Sequence, residues 1–163
     1  MTLLEHVFLI DQLRPWHTNR LSRLVKRTKL HIGDTGVACA LLGVTVQTLE
    51  RDRALFGQLL ESFVLQELRR HACARPSAIA FHHFRDRDDF EVDIVLEERS
   101  GKIAGVEVKA AASVNSGDFR GLRKLRDGMG SQFVCGVVLY DGTATIPFED
   151  RLFAVPARAL FES

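Results

Sequence analysis

The sequence predicts an α/β domain in which helices flank a mixed β-sheet. Three features indicate this class: a long segment with apolar residues at helical spacing, three strand segments after it of which the last two alternate, and a later strand segment that is apolar on both faces. A chain of 163 residues, of which 46% are hydrophobic and 26% charged, can bury one sizeable core. We therefore expect one core, built around the sheet.

The first 33 residues predict two short strands separated by a polar, basic segment. Leu3 to Ile10 changes from a helix-like to a strand-like pattern without a polar leader, so we expect a further protein segment upstream. Apolar alternation returns at Leu30 to Ile32. The cations between the two strands are Arg20, Arg23, Lys26, Arg27 and Lys29.

Two helices are predicted next. Asp34 and Thr35 offer side-chain oxygens as N-caps to a short apolar helix over Val37 to Leu42, and Gly43 lies where this helix would end. A longer amphipathic helix is predicted over Arg53 to Arg70, because its apolar residues recur at three- and four-residue steps.

The remaining elements form a three-stranded meander, a helix and two further strands. The predicted segments are, in order, strands 78–84, 90–97 and 103–109, helix 118–127, and strands 133–140 and 151–155. The short Ser100-Gly101 link joins the second and third strands as a hairpin. The strand at 133–140 is apolar on both faces, so we expect it in the interior of the sheet.

This hairpin is predicted to bring two carboxylates to one face of the sheet. With a three-residue loop that ends in a left-handed glycine, Glu98 pairs with Lys102. Counting outward places Asp93 opposite Glu107, and the alternation of side chains puts Lys109 on the same face. Directly opposed residues have Cβ atoms about 4.5–5.5 Å apart, and like charges at that spacing repel. The arrangement therefore does not serve stability.

A divalent cation between the carboxylates would remove this repulsion. Mg²⁺ takes hard oxygen ligands, commonly one or two carboxylates with water and substrate phosphate, so Asp93 and Glu107 suit Mg²⁺ or Mn²⁺. Water on such a metal ionises more easily and can attack a phosphodiester, and Lys109 would lie beside that water as a positive charge or a base. Glu61 is expected to reach the same metal from the long helix. It follows Gly57 by one turn, and the missing side chain of Gly57 would let a strand approach closely.

These residues resemble a known family. Similarity to the PD-(D/E)XK nuclease superfamily is carried by Gly57-x-x-x-Glu61, Glu91-Val92-Asp93 and Gly105-Val106-Glu107-Val108-Lys109. The core of that superfamily is a helix, a three-stranded meander, a helix and a strand. The resemblance implies a restriction-endonuclease-like α/β core that hydrolyses DNA with Mg²⁺ or Mn²⁺. The implied catalytic residues are Asp93, Glu107 and Lys109, and the implied metal ligands are Asp93, Glu107 and Glu61.

A narrower resemblance spans nearly the whole chain. Segments 29–36, 60–64, 136–142 and 150–156 are similar to a C-terminal domain of unknown function that follows an AAA-type ATPase in many prokaryotic proteins. This resemblance implies that residues 1–33 are the remnant of an upstream winged helix, with Lys26, Arg27 and Lys29 exposed, and that residues 34–163 form the nuclease-like domain. It also implies an ATPase domain on the same full-length chain. We expect that domain outside these residues, because they contain no Walker-type glycine loop.

Two features depart from the superfamily pattern. Val92 stands where some members carry proline. The helix after the meander carries Arg120, Arg123 and Lys124, whereas some members have glutamine or tyrosine there. We expect these three cations to contact the nucleic-acid backbone.

Composition limits the kinds of partner and compartment. The net charge of +1 means that any nucleic-acid site must be a local patch. Cys39, Cys73 and Cys135 are odd in number, far apart and free of CxxC spacing, which argues against a disulfide framework and a zinc site. No apolar run approaches the roughly 18 residues of a membrane span, and no signal core is present. We therefore expect a cytoplasmic protein without a membrane partner.

Other interpretations of the same residues stay open. Charges on one face also occur in an ordinary half-exposed hairpin, in which Glu91 and Lys109 would form a surface pair. The fold would then serve as a catalytically inactive module that binds DNA or a protein partner, or regulates the ATPase. A purely structural regulatory domain is a third interpretation.

Overall fold

The computed structural model describes residues 3, 5, 9–17, 27–74 and 78–162, and its architecture is mixed α/β. In chain order the elements are β1 (Ile10–Leu13), β2 (Lys29–Ile32), α1 (Thr35–Leu42), α2 (Val46–Arg51), α3 (Arg53–Cys73), β3 (Ile79–Arg85), β4 (Glu91–Glu98), β5 (Ile103–Lys109), α4 (Arg120–Met129), β6 (Phe133–Tyr140), β7 (Ile146–Glu149) and β8 (Leu152–Pro156). Short 3₁₀ helices cover Ser116–Phe119, Gly130–Gln132 and Ala157–Phe161.

The main sheet has six strands in the order β3-β4-β5-β6-β8-β7. β3, β4 and β5 form an antiparallel meander, β5, β6 and β8 run parallel, and β7 returns antiparallel to β8. Strand β6 lies between β5 and β8, and its side chains enter two different cores: Val138 and Tyr140 enter one, Leu139 the other. The prediction of an interior strand at these residues is therefore confirmed. Strand β7 was not predicted.

One helix covers each face of the sheet. On one face Leu122 and Leu125 of α4 are fully buried, and on the other face Val64 and Leu65 of α3 are fully buried. Each such side chain stabilises the fold by roughly 1.5–3 kcal/mol. Gly121 lets α4 lie directly on β4, because a Cβ at this position would lie 1.7 Å from the carbonyl oxygen of Glu91.

The predicted caps of the first helix, Asp34 and Gly43, are confirmed, but the helix begins at Thr35 and not at Val37. The long helix differs from its prediction at one end only. Asp34 caps α1 by accepting a hydrogen bond from the amide of Val37 at 2.9 Å, and Gly43 ends it with a φ of 63°. Helix α3 begins at Arg53 as predicted and continues to Cys73. The short helix α2 was not predicted.

The predicted hairpin register is also confirmed. The amide of Glu98 donates to the carbonyl of Lys102 at 2.9 Å, Gly101 has a φ of 78°, and Ile94 pairs with Val106. These pairs lie in the register that sets Asp93 opposite Glu107.

β1 and β2 pair antiparallel as a separate two-stranded sheet. Two backbone hydrogen bonds join the segment after β1 to β3: the amide of Trp16 donates to His83 at 2.7 Å, and the amide of His83 donates to Arg14 at 3.0 Å. The winged-helix origin of residues 1–33 stays a prediction. Of its three expected exposed cations, Lys26 lies outside the described residues and Arg27 is exposed, but Lys29 is not. Its side chain is only 23% exposed, because its ammonium group enters a carboxylate cluster.

Candidate functional site: a carboxylate cluster around Lys29

The site lies where β4 and β5 separate. Their backbone ladder is regular up to the pair Ile94 and Val106. At the next position the amide of Val108 donates instead to Oδ2 of Asp93 at 2.9 Å, so a side-chain carboxylate takes the place of a backbone acceptor. A register shift against β3 occurs at the same part of β4. Such irregularities re-aim side chains and are frequent next to active sites.

Three carboxylates from two elements meet one ammonium group. Nζ of Lys29 lies 2.9 Å from Glu61 on α3, 2.7 Å from Glu91 and 3.0 Å from Asp93, both on β4. These residues, with Glu107, form the carboxylate cluster. Burial acts to lower the pKa of Lys29, but the charges of Asp93 and Glu61 together with the hydrogen bonds to Glu91 and Glu61 raise it above its ordinary value. Lys29 is therefore a permanent cation here.

The fourth carboxylate is Glu107, and its negative charge is the least offset by neighbouring groups. Its Oε2 is buried and has no hydrogen-bond partner within the described residues. Burial and the charge of Asp93 raise the pKa of Glu107 to about 9. Burial and the charge of Asp93 also raise the pKa of Glu61. The cations that contact the cluster thus do not neutralise all of its negative charge. Bound protons neutralise part of the remaining charge.

A buried histidine borders the cluster. Nδ1 of His31 and Oγ of Ser62 lie 3.1 Å apart, and Nε2 of His31 lies 3.8 Å from Oε1 of Glu61. Burial and the charge of Lys29 lower the pKa of His31 to about 4, so the ring is neutral at pH 7. We infer that it packs against Glu61 without adding a charge to the cluster.

The remaining predicted site residues have other partners. Lys109 donates to Asp118 at 2.5 Å. Arg123 contacts Glu149 at 2.6 Å, Lys124 contacts Asp86 at 2.6 Å, and Arg120 lies over the ring of Phe90. Two of the three cations expected at the nucleic-acid backbone thus form ion pairs within the chain, and their contact with nucleic acid stays a prediction.

The proposed reason for Gly57 is wrong. A Cβ at Gly57 would meet only Cβ of Ala110, at 4.0 Å, which is an ordinary contact. The position therefore does not require glycine for close approach of a strand.

The structure adds two residues that sequence reasoning did not assign to the site, Lys29 and Glu91. Glu91 was interpreted as a surface partner of Lys109 and Lys29 as an exposed basic residue. The available signal was the Glu91-x-Asp93 spacing, which places two carboxylates two residues apart on one strand. No local pattern indicated Lys29, because its partners lie 32 and 64 residues away in sequence.

The side chains of the cluster are of the type that binds divalent cations, but they are not arranged around a common metal position. Hard carboxylate oxygens converge there, and one buried oxygen is unpartnered. Yet within the described ranges no group of three or more His, Cys, Asp or Glu side chains is placed to hold a metal ion. The ammonium group of Lys29 instead lies among three of these carboxylates, those of Glu61, Glu91 and Asp93.

Fold and site together define a mixed α/β domain with a partly buried carboxylate cluster. The chain belongs to the family described as a domain of unknown function, DUF4143, whose model matches residues 56–160. A second model, the domain of unknown function DUF8612, matches residues 1–48.

The chain is similar to two curated relatives, the uncharacterized proteins Mb2031c of Mycobacterium bovis and Rv2008c of Mycobacterium tuberculosis. Each is 30% identical over 156 residues, which is 94% of this chain and 33% of the relative. The chain thus spans about a third of the length of these relatives. No solved structure matches it. Among the described residues, no helix is long and apolar enough to span a membrane.

Proposed function

We propose that the carboxylate cluster is the active site of a metal-dependent nuclease that hydrolyses DNA phosphodiesters on a PD-(D/E)XK core. The observation that carries this proposal is Glu107, a buried carboxylate with one unpartnered oxygen beside Asp93. Buried carboxylates with strongly raised pKa values are costly to the fold and are typical of functional sites. The order α3, β3-β4-β5, α4, β6 also agrees with the helix, meander, helix and strand of that superfamily.

Asp93, Glu107 and Glu61 are the residues that would hold Mg²⁺ or Mn²⁺. When bound, the metal would supply an ionised water and offset charge on the phosphate. The amide of Val108 orients Asp93 from one side. Because Lys29 occupies the meeting point of the carboxylates, its ammonium group has to withdraw toward solvent or toward the substrate phosphate, which its flexible stem permits.

Lys109 is assigned to the attacked phosphate. Its ammonium group donates to Asp118, which lies in the 3₁₀ helix before α4. This ion pair limits the rotamers of the lysine until a phosphate competes for it. Lys109 would then stabilise the negative charge that develops on the phosphate during attack.

The test is cleavage of fluorescent single- and double-stranded DNA by the 163-residue chain with Mn²⁺, in parallel with a chelator. Cleavage should require the metal and disappear in Asp93→Asn, Glu107→Gln and Lys109→Ala, while circular dichroism shows that these variants fold. Glu50→Gln, a change at an exposed helix residue, should cleave like the unmodified chain. Cleavage that survives Asp93→Asn would refute this active site.

A second function is favoured by Lys29 itself. An ammonium group that already bridges three carboxylates makes the cluster resemble a site in which a lysine replaces the metal. The domain would then be a non-catalytic module that binds DNA or a protein partner, or regulates an ATPase on the same full-length chain. DNA binding without cleavage, with an affinity unchanged by Asp93→Asn, identifies the module. Cleavage only by the full-length protein with ATP identifies a gated enzyme.

A further inference from the structure

A second feature adjoins the carboxylate cluster: a cleft of about 350 Å³ between the start of β2 and the β3–β4 turn. Its cationic lining residues are Arg27, Lys29, Arg85 and Arg87, and its acidic ones are Asp86 and Asp89. Both acidic residues have partners, because Lys124 contacts Asp86 at 2.6 Å and Arg85 contacts Asp89 at 3.1 Å. With four cationic and two acidic side chains, the lining of the cleft is basic.

Two guanidinium groups that line the cleft have no carboxylate partner among the described residues. In the part of the chain that the structure describes, Arg27 and Arg87 form no ion pair, and both side chains are exposed. Arg85, in contrast, is shared between Asp89 and Glu91. An exposed guanidinium presents several N–H donors in a planar fork that matches a phosphate group.

The backbone on both sides of the cleft is held in place. The carbonyl of Arg27 is hydrogen-bonded to Nε2 of the buried His83 at 2.8 Å. On the other side, buried Asp86 accepts from the amides of Asp88 and Phe90 at 2.9 and 3.0 Å, which fixes the turn that carries Arg87. The two arginines thus face one cleft from preorganised segments, which lowers the entropy lost on binding.

The cleft and the carboxylate cluster share Lys29. Its ammonium group contacts Glu91 and Asp93 in the cluster, while the residue itself lines the cleft. An anion in the cleft would therefore lie next to the site where hydrolysis is proposed. A single nucleic-acid strand offers such a series of anions, since phosphates recur along its backbone.

We propose that this cleft binds a backbone phosphate of the nucleic-acid substrate through Arg27 and Arg87, and so places the neighbouring phosphodiester at the carboxylate cluster. The second half of this inference rests on the proposed nuclease function. The first half, phosphate binding by the cleft, does not depend on cleavage. The proposal also places the phosphate contact at the cleft and not at the cations of α4.

The experiment measures binding of a fluorescein-labelled DNA 20-mer to the full 163-residue chain by anisotropy, in chelator and across a salt series. Arg27→Ala and Arg87→Ala should each weaken binding about tenfold and reduce the slope of log affinity against log salt by about 1. Arg99→Ala, an exposed arginine in the distant β4–β5 turn, is the matched control and should bind like the unmodified chain. Inorganic phosphate should compete with DNA less strongly in the double variant than in the unmodified chain.

The inference is overturned if the unmodified chain does not bind DNA, or if the Arg27→Ala/Arg87→Ala double variant binds as tightly as Arg99→Ala. It is also overturned if changes at Arg120, Arg123 and Lys124 weaken binding while the double variant does not. Binding that depends on Arg27 and Arg87, without any cleavage, supports the cleft and contradicts the nuclease. Cleavage by the double variant with unchanged KM contradicts the cleft and supports the nuclease.

Discussion

Replacing Glu107 with glutamine should stabilise the protein at neutral pH. Burial and the charge of Asp93 raise the pKa of Glu107 from 4.5 to about 9. Below pH 4.5 both the folded and the unfolded chain carry the proton, so Glu107 adds no pH dependence there. Between pH 4.5 and 9 the unfolded chain releases the proton while the folded chain keeps it, and the free energy of unfolding falls as pH rises.

The size of this effect follows from the pKa of about 9. Each unit between the ordinary pKa and the working pH costs about 1.4 kcal/mol, so at pH 7 the cost is roughly 3 kcal/mol. Glutamine has no proton to release and removes this cost. Glu107→Gln should therefore raise the Tm by about 6–12 °C at pH 7, given about 2–4 °C per kcal/mol for a chain of this size.

The assay is thermal unfolding of the unmodified chain, Glu107→Gln and the exposed control Glu50→Gln between pH 4 and 9, without metal. The Tm difference between Glu107→Gln and the unmodified chain should vanish near pH 4.5 and grow with pH up to about pH 9. A Glu107→Gln chain that is no more stable at pH 7, or whose advantage does not depend on pH, would refute the assignment of Glu107 as a buried, undercompensated carboxyl group.

Two further predictions concern Lys29 and the glycines. Lys29→Met leaves the carboxylate cluster without its bridging cation, so unfolding without metal should become easier by about 2–4 kcal/mol, and added Mn²⁺ should raise the Tm of this variant more than that of the unmodified chain. In urea unfolding, Gly121→Ala should cost about 3 kcal/mol or more because its Cβ would meet the Glu91 carbonyl, whereas Gly57→Ala should stabilise by about 0.5–1 kcal/mol. Equal stability of the two alanine variants would contradict the packing of α4 on β4.

Elements whose position is set by residues close together in the sequence were predictable. The turn glycine Gly101 and the alternation on either side of it set the β4–β5 register, and the apolar run of β6 required an interior position in the sheet. The cap of α1 followed in the same way from Asp34 and Gly43. The short elements were missed: α2 has six residues, too few for a helical period to be clear, and Pro147 interrupts the strand pattern of β7.

The composition of the site was only partly predictable. Asp93 and Glu107 follow from the hairpin register, but the ladder ends there because the Asp93 carboxylate accepts the amide of Val108. The partners of Lys29 and Lys109 depend on tertiary packing. Lys29 lies on a separate two-stranded sheet, and Asp118, the partner of Lys109, lies in a 3₁₀ helix. Sequence spacing carries no information on which cation reaches which carboxylate when the partners lie on different elements.

The most direct test of the carboxylate cluster as a metal-dependent site is a Mn²⁺ titration followed by electron paramagnetic resonance at pH 8, in which bound Mn²⁺ loses the signal of the free ion. We predict one bound Mn²⁺ per chain, tighter binding in Lys29→Met, where the competing ammonium group is gone, and loss of binding in Asp93→Asn. Absence of bound Mn²⁺ in both the unmodified chain and Lys29→Met, or binding that Asp93→Asn leaves unchanged, would contradict the account.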